Sequence, residues 1–251
     1  DGKRGYITNY NSGDLTVFDT KSNETIATVI AGSNPTFLLA INSGKDLLIS
    51  HQSSEGIWVL NTPNNSITKS LKQCTGPLYY IEKENKVYQP QIFTPYLYII
   101  DPASTEVVMK IETGGRPMEM AFTPDKGFGY LVNFDSNEVA KIDTKTDSII
   151  LKIKNVTGPR GIALSNDGKL LFVTNVAENT ITVIDTESDA ITKQIFGFQM
   201  PTSVEFSKDD KYAVVTNQSA GKISIVDIKS LTIIRSVEVA AEPIFLMVDN
   251  R

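Results

Sequence analysis

The sequence predicts an all-β fold: a six-bladed β-propeller in which each blade is a four-stranded antiparallel sheet. Two markers recur along the chain with the same spacings of 42, 40, 42, 42 and 42 residues. One marker is an Asp or Asn that closes an alternating apolar segment, and the other is a proline. The first marker falls at Asp19, Asn61, Asp101, Asp143, Asp185 and Asp227, and the prolines are Pro35, Pro77, Pro117, Pro159, Pro201 and Pro243. Six repeats of about 42 residues therefore predict a single domain over residues 1–251.

The fifth repeat shows how one unit predicts four strands. Its apolar residues alternate with period two in four short segments, residues 160–164, 170–175, 181–185 and 191–195. An Asn-Asp-Gly turn separates the first two segments and supplies the positive φ that tight hairpins require. The Asp that closes the third segment is expected to accept hydrogen bonds from the backbone of its own turn. Helical periodicity is absent throughout.

The two ends of the chain predict how the ring closes. Residues 1–30 contain only the second, third and fourth strands of a blade, whereas residues 243–248 have the pattern of an innermost strand. We expect the C-terminal strand to pair with the three N-terminal strands. This pairing would complete the sixth blade and remove two exposed sheet edges.

Short sequence motifs within the repeats connect the chain to a known family. The segments Tyr6-Ile7-Thr8-Asn9, Phe172-Val173-Thr174-Asn175 and Val214-Val215-Thr216-Asn217 are each followed by a strand similar to Val183-Ile184-Asp185-Thr186. The chain resembles YVTN-repeat β-propellers over essentially its whole length. The resemblance implies a propeller of the kind found in prokaryotic secreted and surface-layer proteins. Related propellers carry haem, quinone or lactonase sites, and many members have seven blades where this chain has six repeats.

Charge and hydropathy exclude two classes of partner. The formal net charge of −5 and the pI of about 5.0 give the surface a negative field that repels nucleic-acid phosphates. The basic residues are scattered, so we predict no nucleic-acid binding. No segment approaches the roughly 18 apolar residues of a membrane span, so we predict no transmembrane segment. The resemblance implies a secreted or cell-surface location, and the oligomeric state stays open.

The supply of metal-binding and nucleophilic side chains is small. The only cysteine, Cys74, and the only histidine, His51, lie in different repeats, so neither a zinc site nor a thiol–imidazole pair is predicted. We therefore predict no cofactor, with an oxygen-ligated divalent cation such as calcium as the alternative. The side chains that would converge on such a cation are Asn34, Asp135, Glu138 and Glu178.

Departures from the repeat are the places where function can be added to the fold. Four blades end their second strand with Asn, and we expect this side chain to bond nearby backbone. These residues are Asn9, Asn133, Asn175 and Asn217. His51 takes the position in the second blade and Gln91 in the third, which makes both of them binding candidates.

Aromatic residues cluster around Gln91 in the third blade. Phe93 and Tyr96 lie in a proline-stiffened segment, and Tyr79 and Tyr80 lie in the preceding strand of the same blade. Aromatic side chains provide a large contact area at low entropic cost, so this segment predicts a partner-binding surface. Local repacking of the core between blades is the alternative interpretation.

Charged residues close to the repeated prolines are expected near the axis or entrance of the channel. They are Arg116, Glu119, Arg160, Glu205 and Glu242. Arg116 and Arg160 are candidates for ligand binding, and acid–base catalysis can use groups of this kind. A mixed ring of charge around a wet channel also serves solubility.

Three functions are consistent with these observations. The leading hypothesis is a non-enzymatic recognition module of a secreted or cell-envelope protein, which binds a protein or glycan through one propeller face. Scarcity of catalytic residues favours it, and makes an enzyme the less favoured class. The first alternative is a metal-dependent, lactonase-like hydrolase or lyase with a site at the channel mouth. The second is a purely architectural surface-layer repeat module.

Overall fold

The computed structural model describes residues 2–52, 56–72, 75–81, 84–239 and 241–246. Within these residues the chain is all-β, with 23 strands and short 3-10 turns at Asn42–Gly44 and Gln218–Ala220. The fold divides into two compact units, Asp1–Glu112 and Thr113–Arg251, called here the first and second units. None of the helices in the described ranges is long and apolar enough to cross a membrane.

The first unit contains three antiparallel sheets whose strands follow chain order. The first sheet consists of β1 (Arg4–Asn9), β2 (Asp14–Asp19) and β3 (Thr25–Ile30). The second consists of β4 (Pro35–Ile41), β5 (Asp46–His51), β6 (Ile57–Asn61) and β7 (Ser66–Leu71), and the third of β8 (Tyr79–Ile81), β9 (Lys86–Pro90), β10 (Tyr96–Asp101) and β11 (Glu106–Glu112). The prediction that residues 1–30 supply only three strands is confirmed.

The second unit contains three four-stranded antiparallel sheets. Their strands are β12 (Pro117–Phe122), β13 (Phe128–Asn133), β14 (Glu138–Asp143) and β15 (Ser148–Lys154); β16 (Pro159–Leu164), β17 (Leu170–Asn175), β18 (Thr180–Asp185) and β19 (Ala190–Ile195); and β20 (Pro201–Phe206), β21 (Tyr212–Asn217), β22 (Lys222–Asp227) and β23 (Thr232–Glu238). The four strands predicted for the fifth repeat are confirmed to within one residue at each end.

The described part of the C-terminal segment does not test the predicted ring closure, which stays a prediction. Residues 243–246 are described and form no strand, and residues 247–251 lie outside the described residues. Cys74 also lies outside them.

In five of the six repeats the turn after the third strand is held by the Asp that closes that strand. In the fourth repeat the Asp143 carboxylate accepts hydrogen bonds from the backbone N–H groups of Lys145 and Thr146, both at 2.9 Å. These bonds stabilise the ionised carboxylate and lower the pKa of Asp143. Asp147 then adopts a φ of 55°, and the chain reverses into the fourth strand. The predicted turn chemistry is confirmed.

Apolar side chains pack between the faces of consecutive sheets within each unit. In the second unit Phe172 of β17 meets Phe206 of β20 edge to face, with ring centroids 4.8 Å apart. Both are buried, together with Val183 and Val215 of the same cluster. In the first unit Leu48 and Ile100 belong to one such cluster. These clusters are apolar, but the strands also bury polar side chains such as Thr182 and Ser224.

Each innermost strand of the second unit contains a β-bulge directly after its proline. The register against the second strand shifts between Pro117 and Met120, and likewise in the next two sheets. An extra residue on one strand bends it and changes the direction in which side chains project. The positions that the bulges redirect are therefore residues 118–119, 160–161 and 202–203.

Candidate functional site

Three charged side chains lie on the innermost strands of the second unit. Glu119 belongs to β12, Arg160 to β16 and Glu205 to β20, and they are called here the inner-strand cluster. Glu119 and Arg160 occupy bulge positions, and both Arg160 and Glu205 interact electrostatically with Glu119. Each is the only charged residue at its position among the six repeats. The cluster is therefore a departure from the repeat and not a requirement of the fold.

The surroundings of Glu119 favour its protonated form. Burial raises its pKa to about 8, and the charge of Glu205 acts in the same direction. Arg160 and a hydrogen bond from the backbone N–H of Ile162 oppose this shift without cancelling it. The side chain keeps partial access to solvent. Glu119 is thus a carboxyl group that exchanges its proton near neutral pH.

Arg160 and Glu205 complete the cluster with one cation and one further carboxylate. The Arg160 guanidinium donates from Nη1 to Oε1 of Gln218, at 3.3 Å. Burial lowers the pKa of Arg160, and the charge of Glu119 acts to raise it. Glu205 is exposed to solvent, yet the surrounding protein displaces enough water to raise its pKa.

Close packing of the inner strands fixes the positions of these groups. A Cβ on Gly161 would lie 2.5 Å from the backbone oxygen of Thr202, so β16 and β20 approach too closely for a larger residue. The Gly161 N–H donates to Thr174 Oγ1 at 2.7 Å, and the Ser203 N–H donates to Thr216 Oγ1 at 2.9 Å. Hydroxyls of the second strands therefore satisfy backbone groups beside each bulge.

The cluster combines the parts that acid–base chemistry needs. A neutral carboxylic acid donates a proton, a guanidinium binds developing negative charge, and a second carboxylate accepts a proton from water. Two carboxyl groups whose surroundings shift their pKa values beside a cation are typical of functional sites.

Gln91 in the third repeat accepts the same kind of backbone hydrogen bond as Asn217 in the sixth. Its Oε1 accepts the backbone N–H of Thr75 at 3.0 Å, and Asn217 Oδ1 accepts that of Gln199 at 3.1 Å. Thr75 and Gln199 each stand two residues before the repeated proline. The expected bonding of this side chain to backbone is confirmed for Asn217. In Asn175 the amide instead donates to the hydroxyls of two threonines of β18.

His51 is fully buried, and each of its ring nitrogens faces a backbone carbonyl oxygen. Nε2 lies 2.5 Å from the carbonyl oxygen of Ala31, and Nδ1 lies 2.8 Å from that of Gly56. Asn133 donates to the carbonyl of Thr113, which occupies the same repeat position as Ala31. The contacts of His51 therefore follow the repeat and link the strand to the segment that precedes the next blade.

The aromatic residues of the third blade differ in exposure. Phe93 is 64% exposed in the turn before β10. Tyr96 is partly buried and packs against the apolar cluster, with its ring centroid 6.4 Å from that of Tyr98. Tyr79 is partly buried in β8, and the side chain of Tyr80 lies outside the described residues. Among the members of this group whose side chains the structure describes, Phe93 offers the largest exposed fraction to a partner.

Arg116 and the four oxygen-bearing residues make separate contacts. Arg116 pairs with Asp135 at 3.1 Å and lies over the ring of Phe134. Glu138 pairs with Lys152 at 2.7 Å, and Glu178 accepts from Thr157. The Asn34 amide faces the carbonyl of Tyr10. Across the described ranges, no three His, Cys, Asp or Glu side chains converge on one point.

Consecutive antiparallel sheets with aligned inner strands, repeated along an all-β chain, define the class of the β-propellers. The chain belongs to the lactonase family of 7-bladed β-propellers, whose model matches residues 96–233, more than half of the sequence. The described residues form six sheets. The assignment to YVTN repeats in particular stays a prediction.

Solved structures support the same fold. The chain is similar to Kuenenia stuttgartiensis hydrazine synthase, with a TM-score of 0.80 and 16% identity over 97% of this chain and 85% of that one. It is also similar to the dihydro-heme d1 dehydrogenase NirN in complex with DHE, with a TM-score of 0.78 and 16% identity over 96% of this chain and 55% of that one. No curated protein matches the sequence. At this identity the likeness concerns the fold alone.

Proposed function

We propose that this propeller hydrolyses a cyclic ester at the inner-strand cluster. The observation that carries the proposal is that Glu119 interacts with both Arg160 and Glu205. Its pKa is raised to about 8. No other repeat places a charge at these three positions. Membership of a lactonase family supports the same class of reaction.

Each member of the cluster has a distinct role in the proposed reaction. Glu205 takes a proton from water as the water oxygen bonds to the ester carbonyl carbon. The Arg160 guanidinium stabilises the negative charge that develops on the carbonyl oxygen. Protonated Glu119 gives its proton to the ring oxygen as the carbon–oxygen bond breaks. The product is a hydroxy acid, and the proton held by Glu205 returns to Glu119 or to solvent.

The experiment is a pH-stat assay with a panel of five- and six-membered lactones. Glu119→Gln keeps a hydrogen-bond donor and removes the transferable proton, so we expect kcat to fall about 10²-fold or more. Glu187→Gln is the matched control, because Glu187 is exposed in the turn between β18 and β19. Full activity in Glu119→Gln, or no hydrolysis of any lactone by the unmodified chain, would refute the proposal.

The proposed reaction uses no cofactor, and chelation tests this directly. A protein that binds calcium only when folded gains thermal stability as calcium is added after dialysis against chelator. We expect no gain and no change in hydrolysis. A calcium-dependent rise in both would favour the metal-dependent form of the lactonase hypothesis.

A second candidate function is recognition of a protein or glycan through the third blade. The observation that favours it is Phe93, a large apolar side chain exposed in a turn between two prolines. Phe93→Ala is expected to abolish partner capture and leave thermal unfolding unchanged. Tyr96→Ala is a less suitable variant, because Tyr96 packs against the core. A secreted or cell-envelope location belongs to this proposal.

The six sheets support a further proposal, that the ring has six blades and is closed by the C-terminal strand. Deletion of residues 243–251 would then expose two sheet edges and cause aggregation. A truncated chain that stays monomeric with unchanged unfolding would contradict it.

A further inference from the structure

A cavity of about 310 Å³ lies in the first unit where the sheet of β1–β3 packs against that of β4–β7. This volume lies at the lower end of the range of small-molecule sites. Its walls combine strand residues of β1 with the 3-10 turn between β4 and β5. The lining residues that the argument uses are Arg4, Tyr6, Ser43, Lys45 and Thr62.

The charge of this cavity is opposite to that of the whole protein. Arg4 and Lys45 line it, and none of its lining residues is an Asp or Glu, although the net charge of the chain is −5. The Arg4 guanidinium donates from Nη1 to the carbonyl of Thr62 at 2.7 Å, which holds it at the wall. A guanidinium has five N–H donors in a fork that suits an oxyanion, and an ammonium adds three more.

Tyr6 provides a second and independent observation. Its hydroxyl is enclosed by protein and has no hydrogen-bond partner in the described part of the chain. Tyr130 stands at the same repeat position in the second unit, where its hydroxyl bonds to Asp189 Oδ1 at 3.1 Å. The counterpart of Asp189 in the first unit is Asn65, and its Oδ1 also lacks a partner among the described residues.

The two junctions differ in how their polar side chains are paired. Buried polar atoms are almost always hydrogen-bonded, so an unpaired hydroxyl is a donor that a ligand can use. In the second unit Lys141 and Asp189 fill the junction with an ion pair of 2.7 Å. In the first unit Val17 and Asn65 stand at these positions, so the pair is absent. Tyr6, Arg4 and Lys45 all line the cavity, so it offers hydrogen-bond donors and no acidic side chain.

We propose that this cavity binds a small oxyanion, held by the Arg4 guanidinium, the Lys45 ammonium and the Tyr6 hydroxyl. Phosphate and carboxylate groups share this chemistry. The site is separate from the inner-strand cluster and does not depend on the proposed hydrolysis.

The test is thermal unfolding of the full chain in inorganic phosphate, acetate or chloride at constant ionic strength. We expect phosphate or acetate to raise Tm in a saturable way and chloride to have no such effect. Tyr6→Phe is expected to lower the affinity for the oxyanion about tenfold. It should leave Tm in chloride unchanged, because the lost hydroxyl has no partner in the described part of the chain. Lys45→Gln is expected to lower the affinity for the oxyanion several-fold. Lys21→Gln is the control, because Lys21 is an exposed lysine outside the cavity.

Tyr130→Phe is the matched control for the hydroxyl itself. It removes a bonded hydroxyl at the same repeat position, so we expect a lower Tm in chloride and an undiminished response to the oxyanion. If phosphate and acetate act no differently from chloride, the site does not exist. If Tyr6→Phe retains the full response, or Lys21→Gln loses as much as Lys45→Gln, the assignment to this cavity is wrong. The ratio of the phosphate and acetate affinities then identifies which oxyanion the site prefers.

Discussion

The two units carry the same backbone repeat and very different inner strands. In the first unit the positions that correspond to Glu119 are Phe37 and Tyr79, and those that correspond to Glu205 are Leu39 and Ile81. In the second unit one sheet carries a carboxyl group at each position, Glu119 in its first sheet and Glu205 in its third, and desolvation by the surrounding protein raises both pKa values. The difference teaches that the repeat fixes where a side chain projects, and that substitution at the redirected positions supplies the chemistry.

Replacing Glu205 with Ala should have the largest effect on the difference between the inner strands of the two units. Ala121 and Ala163 stand at its position in the two preceding sheets, so Glu205→Ala is compatible with the fold. We expect loss of lactone hydrolysis by about 10²–10⁴-fold, because the general base is gone. Urea unfolding should be unchanged. Hydrolysis at the normal rate would remove Glu205 from the mechanism.

The Lys141–Asp189 pair distinguishes the two units in their packing. Its side chains are only 12% and 19% exposed, and Tyr130 shares the carboxylate. Asp189→Asn introduces the residue type of the first unit and leaves Lys141 without its counter-charge. We expect a loss of about 2 kcal/mol in the free energy of unfolding. Asp135→Asn, in an exposed ion pair with Arg116, should cost less than about 0.5 kcal/mol. Equal losses would contradict this assignment.

The close approach at Gly161 can be tested by adding a single methyl group. Gly161→Ala places a Cβ against the backbone of β20, so we expect a loss of about 1–3 kcal/mol and reduced hydrolysis. Gly127→Ala is the control, since the atoms nearest its new Cβ are those of the exposed side-chain carboxylate of Asp125 and not of the backbone. It should change the free energy of unfolding by less than about 0.5 kcal/mol.

Glu119 also predicts a pH dependence of stability. Its pKa is about 8 in the folded chain and near the ordinary 4.5 when unfolded, so folding favours the protonated form. The resulting stability is full below pH 4.5 and is lost as pH rises through 8. Because water reaches part of the side chain, we expect an effect on the order of 1–2 kcal/mol. Glu119→Gln should flatten this part of the urea-unfolding profile, and an unchanged slope would place the titration elsewhere.

The sequence predicts the strands well because the repeat reports them many times over. It also identified Glu119, Arg160 and Glu205, but spacing alone does not show whether charges near a proline meet one another or face water separately. Comparison of all six repeats at these positions provides the missing signal, since each charge is unique. Gln91 departs from the Asn pattern and is therefore a binding candidate by sequence, yet its longer side chain reaches the equivalent N–H group. The cavity beside Tyr6 has no sequence signature, because an unpaired hydroxyl is visible only in three dimensions.

The most direct test of the central claim is the pH profile of lactone hydrolysis by the unmodified chain and by Glu119→Gln. We predict that kcat of the unmodified chain falls as pH rises through about 8, where Glu119 loses its proton, and that the residual activity of the variant lacks this fall. An identical alkaline limb in both proteins would contradict the assignment of Glu119 as the general acid.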